Sequence, residues 1–334
     1  MKNRFLAIPV VFYSPDTRFA FGVGGNYNFL WSKKKFYFNK NQIKFGASYA
    51  QNKQILFYSG FQLLFNKQKQ WCYGEIGYYL YRFPFYGIGQ ELKSKYLEKY
   101  DVRFPRIRVY ALQKVSPHIF LGLRYALDAF SQFKFDPNGM LANLQTLGAD
   151  SGASSSFGVS INYDTRDKRN YPYKGIFSEA FISFDQPFFG SDFQFGKVHC
   201  EFSHFKRMGE QLIFATNLLC EANIGTTPFH QLSTLGGPKY MRGYIDGRLR
   251  DKAIFSLQEE VRFPVWRWIK AAGFVSFGTA GDTVKKMLTK DWAISMGLGL
   301  RIQIDAQERS NIRLDYAIGR YSDGGFYLTF GEAF

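Results

Sequence analysis

The chain has only four histidines and three cysteines, and their spacing forms no recognisable catalytic or metal-binding motif. The histidines show no metal-ligand spacing: His118, His199, His204 and His230. The cysteines lack CxxC spacing and are expected to be small strand residues: Cys72, Cys200 and Cys220. GxSxG and HExxH are absent. A lipid-facing hydrolase would need an outward His–Ser pair, and none is evident. We therefore expect no enzyme activity, cofactor or metal.

The most distinctive stretch is the glycine-rich, basic segment from His230 to Lys252, which contains Met241, Arg242, Gly243 and Tyr244 in succession. A loop of about twenty residues inside a compact fold is either functional or disordered. The aromatic and arginine content of this segment argues against disorder. We expect a functional site in this loop, and the rest of the chain must supply the scaffold that positions it.

Composition indicates a sheet whose two faces have opposite polarity. Among 334 residues, 19% are aromatic and 32 are glycine, yet the mean hydropathy is −0.24. No apolar run approaches the ~18 residues of a transmembrane helix. The net charge of +16 fits either nucleic acid or a phosphate-rich lipid surface. Because the basic residues are spread along the chain, we expect a phosphate-rich lipid surface as the partner and no nucleic acid.

Apolar and polar residues alternate from one end of the chain to the other. In 293–305 the residues Ile294, Leu298 and Ile302 share one face, and Arg301 and Asp305 share the other. The same pattern recurs in 118–129 and 311–320. The polar face mixes glycine with charged residues, as a lumen requires, whereas a soluble sandwich would present a Lys-, Glu- and Thr-rich surface. The pattern predicts a transmembrane barrel.

Turn signals divide the chain into about sixteen candidate strands, an even number as in bacterial single-chain barrels. Their ranges are 4–13, 18–31, 42–52, 55–66, 71–83, 101–115, 118–134, 155–166, 175–187, 193–207, 211–224, 253–265, 270–280, 293–305, 309–321 and 325–334. The longer connections, 136–153, 226–252 and 281–292, are predicted on the outer side. The barrel is expected to fill residues 1–334 without a separate periplasmic domain. The amino-terminal segment before Pro9 is too short to be an export signal. If the protein is exported, we expect this sequence to be the mature form with its signal removed.

Four stretches resemble the BamA/TamA superfamily of outer-membrane barrels, also called bacterial surface antigens. The segment 241–244 is similar to the family's (V/I)RG(F/Y) loop motif between the eleventh and twelfth strands. Residues 163–167 with 172–175 resemble its YDTRD…P-x-G turn, 257–264 its twelfth strand and 326–334 its terminal strand. Within these stretches the resemblance marks Asp164, Arg166, Asp167, Pro172 and Gly175 in the turn, and Phe326, Phe330, Gly331 and Phe334 at the end.

The resemblance implies that the loop 226–252 folds into the lumen and is latched there by Arg242. A confined guanidinium needs a carboxylate of matching geometry, and Glu260 occupies the family's acidic partner position. The family's second acid belongs to an F-x-D-x-G motif, which here has Ser276 in place of the acid. We therefore expect a weaker latch than the family norm. Asp164 and Arg166 share the inward parity, so they either line the pore or stabilise the strand-to-turn transition, and we expect a structural role. The terminal strand is expected to form a weakly paired seam with the first strand.

Glu259 conflicts with simple alternation, which places its carboxylate on the lipid-facing side. Either a β-bulge shifts the register at this point or the residue lies at the rim of the barrel. The sequence leaves both alternatives open.

For function, the resemblance implies a bacterial outer-membrane barrel that takes part in protein insertion or secretion. It also implies outer-membrane lipids, including lipopolysaccharide, as partners. Family members with these roles carry periplasmic polypeptide-transport-associated domains, so we expect this chain to act with a separate periplasmic or surface protein. Two alternatives remain: a structural barrel that docks a partner, and a diffusion channel whose basic lumen favours anions. The sequence predicts no oligomeric state.

Overall fold

Antiparallel strands dominate the computed structural model, which describes residues 3–14, 18–31, 40–51, 53–89, 97–143, 146–209, 211–321 and 324–334. Sixteen strands form one sheet in which each pairs with its neighbours along the chain. This confirms the predicted all-β fold and strand number. The two described helices, α1 (Met140–Asn143) and α2 (Val284–Thr289), are short connections, and neither is long or apolar enough to span a membrane.

The sheet strands follow one another in chain order. They are β1 (Arg4–Ser14), β2 (Arg18–Phe29), β3 (Asn41–Ala50), β4 (Ile55–Phe65), β5 (Gln70–Phe85), β6 (Glu98–Ser116), β7 (Ile119–Lys134), β8 (Gly152–Asp164), β9 (Gly175–Asp185), β10 (Phe195–Met208), β11 (Leu212–Gly225), β14 (Ala253–Trp266), β15 (Ile269–Gly281), β16 (Ala293–Asp305), β17 (Ser310–Gly319) and β18 (Gly325–Phe330). Two short strands, β12 (Ser233–Leu235) and β13 (Leu249–Asp251), pair only with each other.

The predicted alternation determines which side chains face inwards. In β16, Leu298 is 72% exposed on the outer side, whereas Arg301 is fully buried on the inner side. β14 follows the same rule, with Gln258 and Glu260 buried and Val261 and Phe263 exposed. Successive side chains of a strand point to opposite faces, so polar residues collect on the inner face and apolar residues meet lipid.

The loop between β11 and β14 lies inside the curve of the sheet. Its Arg250 carbonyl accepts from the Gly89 N–H at 2.8 Å, and its Lys239 ammonium lies 3.0 Å from Glu201 on β10. On another side, Arg313 of β17 donates to the Pro238 carbonyl at 2.7 Å. Because these contacts come from strands far apart in the sheet, the loop occupies the lumen, as predicted. It joins the eleventh and twelfth sheet strands.

The two ends of the sheet, β1 and β18, are not paired with each other in the part of the chain that the structure describes. They belong to neighbouring regions, since the Arg4 guanidinium lies 2.9 Å from the Asp305 carboxylate at the end of β16. The strands also differ in length: β1 has 11 residues and β18 has 6. The sheet therefore leaves a seam between its first and last strands.

The predicted terminal strand 325–334 is too long, because β18 ends at Phe330. Gly331 has φ +87°, a conformation that favours glycine, and the chain turns inwards there. Glu332 then lies 3.2 Å from Arg301, and the Phe334 ring packs 6.3 Å from the Phe205 ring. Continued alternation would point Glu332 at lipid, which is costly for a carboxylate, whereas the turn gives it a buried arginine partner.

Candidate functional site

The backbone of the loop motif is shaped to present one arginine. Met241 and Gly243 have φ of +59° and +104°, and the Tyr244 N–H donates to the Met241 carbonyl at 3.1 Å. A Cβ atom on Gly243 would lie 2.8 Å from the Ile318 carbonyl group of β17, so the loop approaches the strand more closely than other residues allow. This tight turn points the side chain of Arg242 towards the wall of the barrel.

Arg242 is fully buried and bridges two strands. Its Nη2 lies 2.7 Å from Glu260 Oε2 on β14, and its Nη1 lies 2.7 Å from Asp315 Oδ2 on β17. The guanidinium also lies over the Phe274 ring of β15, 3.5 Å from the ring centroid. Charge-assisted hydrogen bonds and a desolvated cation–π contact are among the stronger polar interactions available to arginine.

Three further arginines share the same carboxylates, and we call the whole set the latch cluster. Its members are Arg242, Arg262, Arg301, Arg313, Glu260, Asp315 and Glu332. Arg301 joins three acids, at 3.0 Å from Glu260, 2.6 Å from Asp315 and 3.2 Å from Glu332. Because Glu332 belongs to the inward-turned tail, the cluster connects the loop, the barrel wall and the carboxyl end of the chain.

The expectation that Ser276 leaves Arg242 with a single acidic partner is wrong. Ser276 is buried on the inner face of β15, but its hydroxyl donates to Gln258 at 3.4 Å rather than contacting Arg242. Asp315 on β17, two strands further along the chain, supplies the second carboxylate. Alternation in 311–320 already placed Asp315 on the inner face, but no sequence signal showed that it meets the loop.

A tyrosine missed by the sequence reasoning attaches the loop to the edge strand. The Tyr327 hydroxyl of β18 accepts from the Gly243 N–H at 2.9 Å and donates to the Tyr244 carbonyl at 3.1 Å. The Tyr244 hydroxyl in turn lies 3.0 Å from the Ile294 carbonyl and 2.8 Å from the Arg320 carbonyl. The loop motif therefore contacts the last three strands of the sheet as well as β14.

Replacing Tyr327 by phenylalanine is expected to loosen the loop at the edge strand. The change removes two hydrogen bonds of roughly 1 kcal/mol each, so the opening equilibrium of the loop should rise about 5- to 30-fold. Hydrogen exchange of the amides in residues 240–246 measures this. Tyr316→Phe is the matched control, because that ring is exposed on the outer face of β17. Equal exchange in the two variants would contradict the contact.

The turn motif between β8 and β9 is a structural corner. Asp164 accepts from Arg166 Nε at 2.9 Å and Nη2 at 3.0 Å, and Asp167 accepts from the Tyr173 N–H at 2.9 Å and from Arg309 at 2.6 Å. Gly175 has φ +111°. Pro172 is buried in the same corner. These contacts fix the loop shape, and the buried Tyr171 ring extends the corner towards the latch cluster, 5.3 Å from Arg262.

The residues of the terminal motif divide between the two faces. Phe326 is exposed on the outer face, where it packs 4.6 Å from the Tyr316 ring. Phe330 ends β18, and Gly331 makes the inward turn. Phe334 lies inside, 5.4 Å from the Arg262 guanidinium. The final aromatic residue thus covers the latch cluster instead of forming the end of a lipid-facing strand.

A cavity of about 660 Å³ remains between the loop and the inner faces of β5–β11. Its lining includes six Lys or Arg residues and seven Asp or Glu residues. The lining is therefore close to charge balance, and the expectation of a basic lumen that favours anions is wrong for this part of the lumen. His230 packs 3.9 Å from the Phe130 ring at its margin, and burial lowers the pKa of His230 to about 3. That imidazole is neutral at physiological pH.

Within the described residues, no group of three His, Cys, Asp or Glu side chains could hold a metal ion. His199 lies 3.0 Å from Glu221 in the lumen, and His118 packs against the Tyr163 ring. His204 faces outwards on β10 and is paired in register with Thr216 of β11. The sequence reasoning gave His204 no partner, because a cross-strand neighbour depends on register.

The sheet, its apolar outer face and its plugged lumen define an outer-membrane β-barrel. The chain belongs to the Omp85 superfamily, whose domain matches residues 17–334. This bears out the resemblance to BamA-type barrels and points to the bacterial outer membrane. In a comparison with curated proteins no match was found.

Solved structures of three bacterial proteins share the fold. BamA from Haemophilus ducreyi lacking POTRA domains 1–3 has a TM-score of 0.59 at 15% identity, over 99% of this chain and 70% of that one. CdiB from Acinetobacter baumannii has a TM-score of 0.59 at 11% identity, and the match covers 98% of this chain and 59% of that one. CdiB from Escherichia coli has a TM-score of 0.59 at 11% identity, and the match covers 98% of this chain and 61% of that one. This chain thus spans about six-tenths of the CdiB chains.

Proposed function

We propose that this protein is an assembly or translocation barrel, which takes part in protein insertion or secretion together with a separate protein partner. The observation that carries the proposal is the seam between β1 and β18. Lipid offers no hydrogen bonds to an unpaired strand edge, so such an edge within the membrane favours the addition of another strand. Even full pairing with the 6 residues of β18 would leave part of the 11-residue β1 unpaired.

The latch cluster supports the same proposal from the inside of the barrel. Arg242 ties the loop to β14 and β17, and Tyr327 ties it to β18. The position of the edge strand therefore depends on the loop, which fills the lumen behind it. A polypeptide strand that enters at the seam would pair with an edge held in a fixed place. The latch cluster would keep the edge of β18 in position for pairing, and the partner protein would deliver the incoming strand.

Photocrosslinking from the edge strand tests this function. A benzophenone amino acid at Leu328 of β18 is expected to capture polypeptides in native outer membranes. The same probe at Leu300 of β16 is the matched control, because both side chains are exposed on the lipid-facing side. Adducts with outer-membrane or secreted polypeptides from Leu328 alone support the proposal. The absence of polypeptide adducts from Leu328, or equal adducts from both positions, would contradict it.

A further inference from the structure

The lipid-facing side of β14 carries one carboxylate, Glu259, near its middle. Residues 253–264 pair with β15 without a break in register, and Glu259 is the seventh of the 14 residues of the strand. Neither of the two sequence alternatives, a β-bulge or a place at the rim, is therefore correct. Exposed tryptophans mark the turn that joins β14 to β15, with Trp266 57% and Trp268 47% exposed. Glu259 lies well inside that boundary.

Two more polar side chains lie in the same row across the wall. Glu259 pairs in register with Thr216 of β11, and Thr216 pairs with His204 of β10. The Thr216 hydroxyl donates to Glu259 Oε2 at 2.8 Å. That contact is the only hydrogen bond of Glu259 within the described residues. We call these three residues the outer polar row.

The outer surface immediately around Glu259 is apolar, which makes a carboxylate there unusual. The outward-facing neighbours of Glu259 on its own strand are Leu257 and Val261, and the residue opposite on β15 is Val275. Ionisable groups in hydrocarbon are costly and almost always have a partner. One threonine hydroxyl satisfies only part of a carboxylate's hydrogen-bonding capacity. The row therefore fits a surface that another membrane-embedded protein covers.

We propose that the outer polar row is a lateral interface between two copies of this chain. The carboxylate and the imidazole lie at opposite ends of the row, with one strand between them. A two-fold axis through the middle of such a row brings His204 of one copy towards Glu259 of the other, and the reverse contact follows by symmetry. Each carboxylate thereby gains a donor from the other copy. Hydrogen bonds and close packing drive association of proteins within a membrane.

The chain contains native reporters for this interface. Cys200 and Cys220 are free, exposed and paired opposite each other on β10 and β11, on the same face as the row. Each lies four residues along its strand from a member of the row, Cys200 from His204 and Cys220 from Thr216. Cys72 lies on β5, away from this face, and serves as an internal control.

The test is cross-linking of the full chain in native outer membranes with a flexible bismaleimide. Cys220→Ser and Cys200→Ser each leave one reporter and exclude a link within one copy. An adduct of twice the 38.6 kDa chain mass in either variant, lost in the double variant Cys200→Ser/Cys220→Ser, is expected. Monomer alone in both single variants would overturn the proposal. Adducts with a different protein would also overturn it and assign the face to that partner.

Two further variants separate the row from general folding effects. Glu259→Gln should weaken dimerisation about tenfold, since both symmetric contacts lose their charge. The swap His204→Glu/Glu259→His should restore it, because the two ends of the row remain complementary. Leu300→Gln, a polar substitution on the outer face of β16, should leave the dimer unchanged. A dimer insensitive to Glu259→Gln, or no rescue by the swap, would contradict the pairing. This inference stands apart from the proposed strand entry at the seam.

Discussion

Replacing Asp315 by alanine is expected to lower the free energy of unfolding by about 3–5 kcal/mol, the cost of breaking a buried ion pair. Asp315 lies within 3.3 Å of Arg242, Arg301 and Arg313, all of them buried. The native latch cluster holds four arginines and three carboxylates, and the change leaves four arginines with two carboxylates. The uncompensated buried charge is the physical reason for the loss.

Urea unfolding in phospholipid vesicles measures this difference. Ser276→Ala is the matched control, since Ser276 is also fully buried on the inner face and makes only a long hydrogen bond to Gln258. Ser276→Ala should lower the free energy of unfolding by no more than about 1 kcal/mol. Similar losses in the two variants would mean that Asp315 is not the second anchor of Arg242.

Arg242→Ala is expected to lower the free energy of unfolding by about 3 kcal/mol, at the low end of the range for a broken buried pair. The loss is smaller than for Asp315 because both carboxylates keep other arginines: Glu260 keeps Arg262 and Arg301, and Asp315 keeps Arg301 and Arg313. The substitution also removes the cation–π contact with Phe274. Folded barrels run faster than unfolded chains on unheated gels, so the variant should lose this heat-resistant mobility at a lower temperature.

Two control substitutions separate geometry from charge. Arg320→Ala removes an exposed arginine near the end of β17 and should change stability little. Arg242→Lys keeps the charge, but an ammonium group cannot bridge two carboxylates as the planar guanidinium does. The free energy of unfolding of this variant should therefore lie between those of the native protein and Arg242→Ala. If Arg242→Ala behaves like Arg320→Ala, the loop does not depend on this side chain.

Periodicity in the sequence was sufficient for the fold but not for the contacts of the site. Alternation placed Arg301, Arg313 and Asp315 on the inner face, and the structure confirms that face for each. It could not show that Asp315 meets Arg242, because β14 and β17 are not neighbours and the loop joins them only in three dimensions. The contact depends on barrel curvature and on the loop path, which local patterns do not encode.

The chain end and the outer wall show two other limits of the pattern. An aromatic final residue suggested a strand up to Phe334, but the cost of exposing Glu332 to lipid favours the inward turn at Gly331. Glu259 showed the opposite outcome, since its carboxylate does face outwards. In both cases the alternation was read correctly, and the deciding factor was whether a partner for the carboxylate lay within reach.

A double-mutant cycle between Arg242 and Asp315 decides whether the loop is anchored through this pair. Removing both residues leaves three arginines and two carboxylates, the same excess of one positive charge as in the native cluster. We predict that the double variant is more stable than the sum of the single losses implies, by about 1–3 kcal/mol. Losses that add to within about 0.5 kcal/mol would contradict a direct interaction between the loop and β17.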